Sequence, residues 1–95
     1  MGVTNELIKD SIKYTRKVLS GRRDYNLLSS STFYLYSNYL SKLSMYLLSK
    51  DLEGESLDSL IATVFDWSSN GNIYAENSLK KIYLSVLFLI TDISK

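Results

Sequence analysis

Apolar side chains return every three or four residues along four successive stretches of this chain, the period of a helix face rather than of a strand. No proline interrupts any of them, so each stretch is free to stay helical throughout. The first sets Leu7, Ile8, Ser11, Ile12, Thr15, Val18 and Leu19 on one side, with Glu6, Lys9, Asp10, Lys13, Arg16 and Lys17 on the other. Thr4 or Asn5 is placed to cap its start, and Gly21, which adopts a left-handed conformation without a Cβ penalty, is its expected end.

The second stretch begins at a cap on Asp24 or on one of Ser29, Ser30 and Ser31, and runs to about Ser49. Phe33, Tyr36, Leu40, Leu43 and Leu47 form one apolar line, and Leu28, Leu35, Tyr39 and Tyr46 widen it to roughly 160° of the helix circumference. A face that broad contacts two neighbours. Ser56 caps the third stretch, with Asp58 near the positive end of its dipole and Leu57, Leu60, Ile61, Val64 and Phe65 as its buried stripe; Trp67 lies at the edge. Residues 68–72, with their Asn70-Gly71 pair, signal a stop. The fourth helix starts between Asn72 and Ala75 and reaches about Ile93, turning Ala75, Leu79, Ile82, Tyr83, Val86, Ile90 and Ile93 one way. Short connections then give an all-α fold, a small antiparallel four-helix bundle in which residues 1–95 are one domain. A break in the second helix near Ser29 would make five helices.

The residue types present exclude most chemistry. There is no cysteine, hence no disulfide, thiolate nucleophile or thiolate metal ligand, and no histidine, the usual general base and commonest transition-metal ligand. The serines contain no G-x-S-x-G elbow, and the glycines are too scattered for a phosphate loop or a dinucleotide fingerprint. The acidic run Asp51, Glu53, Glu55, Asp58 fails the calcium-loop pattern, because counting from Asp51 puts Ser56 at position 6 and Ala62 at position 12. It reads as a solvated turn that complements a helix dipole. No catalytic residue, metal or cofactor is therefore expected, and the chain is not expected to be an enzyme. No secretory signal is visible, which makes an intracellular location the expectation. Residues 82–90 hold one polar residue in nine, but a membrane span needs about 20 apolar residues, so no span is expected.

Two features point outward. The net charge of +1 hides a polarity: residues 1–23 carry +4 and residues 24–95 carry −3. The strip Lys9, Lys13, Arg16, Lys17, Arg22 and Arg23 suits an acidic protein surface or, less well at a pI near 7.9, nucleic-acid phosphates. On a helical wheel centred on Leu79, Leu84 and Phe88 point away from the core beside Lys81, one turn apart on one face. Tyr34, Met45 and Leu48 make a second, weaker set on the polar side of the second helix. The expectation is a non-catalytic protein-binding module (an accessory subunit, adaptor or inhibitor) that docks a helix face on a larger protein or on a second copy of itself as a homodimer. Alternatives are a toxin-neutralising immunity-type or phage-encoded inhibitor, and weak nucleic-acid binding through the basic strip.

Overall fold

The computed structural model describes residues 2–67 and 73–93, the side chains of 73–76 and 93 excepted. Four helices account for most of these residues: α1 (Asn5–Asp24), α2 (Ser30–Ser49), α3 (Leu57–Asp66) and α4 (Ile73–Ile93). Each of the first three starts on a hydroxyl that accepts from a backbone N–H in the first turn: Thr4 from Leu7, Ser29 from Thr32 and Ser56 from Ser59. The second helix is unbroken from Ser30 to Ser49, so the described residues form four helices and not five. The stop signal at 68–72 lies outside the described residues, as do the side chains of Ala75 and Ile93 on the expected stripe of α4.

The end of α1 differs from expectation. Gly21 sits inside the helix, which continues to Asp24. The left-handed position belongs to Asn26, with φ of 60°. Around it the Leu27 N–H reaches the Arg22 carbonyl at 2.8 Å, and the Asn26 N–H reaches Arg23 at 3.0 Å. These are the two bonds of a Schellman ending, and asparagine fills the position that glycine was expected to take.

α1 packs against α2 and α4, and α3 also packs against α2 and α4, so α1 and α3 occupy opposite corners. Cross-contacts fix the directions. Arg16 meets Ser41 and Arg23 meets Phe33, so α2 runs back along α1; Leu7 shares a groove with Ile90, and Arg22 one with Ile82, so α4 does the same. The core gathers Ile8, Ile12 and Leu19 from α1, Tyr36, Leu40, Leu43 and Leu47 from α2, Leu60 and Val64 from α3, and Leu79, Tyr83 and Leu87 from α4. Phe65, expected in the α3 stripe, is instead exposed, with the Lys80 ammonium 5.5 Å from its ring centre. Trp67 keeps its edge position and meets Tyr39 edge to face, ring centres 6.4 Å apart.

The acidic turn between α2 and α3 has a structural task. Val3 is buried, donates its N–H to Glu55 at 2.7 Å and accepts from the Gly54 N–H at 2.8 Å. Glu53 extends a carboxylate oxygen to the Asn5 N–H at 2.8 Å, at the positive end of the α1 dipole. Among the described residues, no group of three or more His, Cys, Asp or Glu side chains is placed to hold a metal ion, and no helix is long and apolar enough to cross a membrane.

Candidate docking surface

The seam between α1 and α4 is built on small polar residues. Ser11 and Thr15 are fully buried on the face of α1 that meets α4. Each returns its hydroxyl hydrogen to a carbonyl of its own helix, Ser11 to Ile8 at 2.7 Å and Thr15 to Ser11 at 2.7 Å. The Tyr83 hydroxyl, buried on α4, bonds the Ser11 oxygen at 2.6 Å. Burial pushes the Tyr83 phenol up from 10.0 to about 12, and the bond to Ser11 offsets part of that rise.

This contact sets the rotation of α4. The buried residues Leu79, Lys80, Tyr83, Val86 and Leu87 centre on Tyr83, about 40° round the helix from Leu79 at 100° per residue. Leu84 is thereby carried to the edge of the interior, where it is half-buried and packs against the core. Phe88 stays outside at 48% exposure, and Leu89, which the sequence did not single out, stands at 60%. The expected pairing of Leu84 with Phe88 on one outward face is thus corrected: the outward apolar residues of α4 are Phe88 and Leu89.

Leu89 belongs to a groove. Leu7, Tyr14 and Val18 of α1 and Val86, Leu89 and Ile90 of α4 line a depression of about 520 Å³, bordered by Asp10 and Lys17. A second hollow of about 370 Å³ shares Val18, Val86 and Leu89 with the first and extends it to Arg22, Lys81 and Ile82. One apolar trough therefore follows the α1–α4 seam on the outside of the bundle. Lys17, Arg22 and Lys81 are exposed along it, and the acid among its lining residues is Asp10, near the Leu7–Ile90 end. The trough exists because the stripe of α1 is wider than its buried arc. Ile8, Ser11, Ile12, Thr15 and Leu19 face inward, while Leu7 and Val18 remain at its border.

The other expected surfaces are less coherent. Tyr34 and Met45 are 64% and 74% exposed, whereas Leu48 packs against the core. The two exposed residues are three turns apart, about 16 Å along the axis, with the exposed Asn38 and Ser41 on the line between them. They are isolated side chains, not a patch. The basic strip divides. Lys9, Lys13, Arg16 and Lys17 border a shallow hollow of about 470 Å³ floored by Ile12 and Phe33. Arg16 donates to Ser41 at 2.6 Å, and the Arg23 guanidinium lies 4.1 Å from the centre of the Phe33 ring, which occupies part of the strip internally. Arg22 turns to the α4 side. Lys17, whose ammonium is 5.3 Å from the Tyr14 ring centre, borders both hollows.

The chain matches no family model, no curated protein and no solved structure.

Proposed function

We propose that the chain is a non-catalytic protein-binding module that docks the α1–α4 face on a larger protein. The observation that carries this reading is the apolar trough, in which Val18 and Leu89 stay exposed, with the exposed Phe88 next to Leu89. Single exposed apolar residues are ordinary, but a continuous trough lined by two helices is the form in which amphipathic partners are received. Accessory, adaptor and inhibitory roles all need only such a surface.

The test is capture from the native cell with the wild-type chain and with Leu89→Asp in parallel. Leu89 projects outward, so the variant is expected to keep its helical signal and melting temperature while losing a stoichiometric partner that the wild type retains. Equal retention of every captured protein by both would remove this face from the docking role.

The hollow bordered by Lys9, Lys13 and Arg16 supports a second reading, contact with nucleic-acid phosphates. Its signature is an affinity for duplex DNA whose logarithm falls linearly with log salt, with a slope of about −0.9 per phosphate neutralised. Absence of binding at low salt removes it.

A further inference from the structure

We infer that the α1–α4 trough receives an amphipathic helix flanked by Asp and Glu side chains; the inference rests on the docking reading of this face and specifies its partner. Length comes first. The trough extends from Leu7 to Arg22 on α1, about 22 Å of helix, and from Lys81 to Ile90 on α4, about 14 Å. A helical segment of about 10–15 residues matches it. Its floor of Leu7, Val18, Val86, Leu89 and Ile90 presents aliphatic side chains from two antiparallel helices, the surface into which a third helix sets an i, i+3, i+4, i+7 stripe.

Charge then selects among helices. Lys17, Arg22 and Lys81 stand exposed along the border, whereas Asp10 is part-buried near the far end. A partner with basic flanks meets like charge on both walls, and one with acidic flanks meets its complement. Nucleic acid is the poorer occupant, because phosphates seek a polar, strongly basic and hydrated surface, and here five aliphatic residues form the floor. A second copy of this chain is also a poor fit. Its exposed acidic helix is α3, with Asp58, Asp66 and Phe65 outward, and at ten residues it spans only about two thirds of the α1 wall. The Phe65 ring is moreover approached by the chain's own Lys80.

The probe is a pair of synthetic helical peptides of about 18 residues, sharing one leucine stripe and differing only in having glutamate or lysine on both flanks. Each is titrated into the isotope-labelled full chain while backbone amide shifts are followed. The glutamate peptide is expected to shift Tyr14, Val18, Val86 and Leu89, and to bind at least about tenfold more tightly than the lysine peptide near 50 mM salt. The ratio is expected to shrink at about 0.5 M salt, where charges are screened beyond roughly 4 Å. The triple variant Lys17→Glu, Arg22→Glu, Lys81→Glu is expected to reverse the preference.

Several results overturn the inference. Equal affinity of the two peptides for the trough leaves a docking face without selection for acid, so the inference falls and the docking reading stands. Shifts confined to the Lys9, Lys13 and Arg16 hollow mean simple charge attraction elsewhere. If duplex DNA shifts the trough residues and the glutamate peptide does not, the occupant is a nucleic acid. Concentration-dependent broadening of the same residues in the free chain assigns the trough to a second copy. Silence of both peptides at the trough removes the inference and the docking reading together.

Discussion

The Ser11 hydroxyl bonds both the Ile8 carbonyl at 2.7 Å and the Tyr83 phenol at 2.6 Å, and either oxygen of the second pair can donate. The two ends of that bond are nonetheless unequal. Ser11→Ala strands the buried phenol, whereas Tyr83→Phe removes that phenol and leaves Ser11 still bonded to Ile8. Urea unfolding is expected to show a loss of about 1–3 kcal/mol for Ser11→Ala and only about 0.5–1.5 kcal/mol for Tyr83→Phe. The reverse order would mean that Ser11 depends more on the phenol than on the Ile8 carbonyl. The raised pKa of Tyr83 adds a pH test. Between about 10 and about 12 the folded chain keeps the phenolic proton that the unfolded chain has released. Stability contributed by the neutral phenol is thus complete below pH 10 and is lost as pH climbs towards 12. The wild type should lose about 2–3 kcal/mol more than Tyr83→Phe across that window, which comparison of the two unfolding curves isolates from the titration of the lysines and other tyrosines.

At the scale of the helix, Gly21 decides between two accounts of how α1 ends. If Gly21 closed the helix in a left-handed conformation, Gly21→Ala would be strained and destabilising. In the structure Gly21 is helical and a Cβ built there meets nothing within 4 Å. Gly21→Ala is therefore expected to stabilise the fold by about 0.5–1 kcal/mol, seen as a higher urea midpoint at unchanged slope. The Ser56 cap, the end of α2 at Ser49 and most core positions were legible in the sequence because they depend on residues within a turn or two of each other. Glycine as a terminator was also a local inference, and it failed because Asn26 supplies the same backbone conformation five residues later. The rotation of α4 was not legible. It follows from Tyr83 meeting Ser11, 72 residues away, and it moves Leu84 inward while leaving Leu89 out. The trough could be half-read: the run of apolar residues through 86–90 announced surplus apolar surface on α4, but not which residue of the run would carry it.

Across the whole molecule, α1 and α3 do not pack on each other, and the segment before α1 bridges that gap. Val3 fills a buried position near Leu52 and exchanges two backbone hydrogen bonds with the turn that leads into α3, while Glu53 of that turn holds the first N–H of α1. A ten-residue helix is too short to persist without tertiary support, and α3 contributes only Leu60 and Val64 as fully buried anchors. Its entry angle therefore depends on the turn that Val3 secures. Val3→Ala removes two methyl groups from a site only 1% exposed, for an expected loss of about 1.5–2.5 kcal/mol. Amide hydrogen exchange distinguishes a bridge from a local plug. If the segment couples the two corners, exchange in Val3→Ala accelerates both in the first turn of α1 and along α3, beyond what the global loss of stability produces in α2. Acceleration confined to the first turn of α1 would reduce Val3 to a filler of its own pocket, and α3 would then owe its placement to α2 and α4 alone.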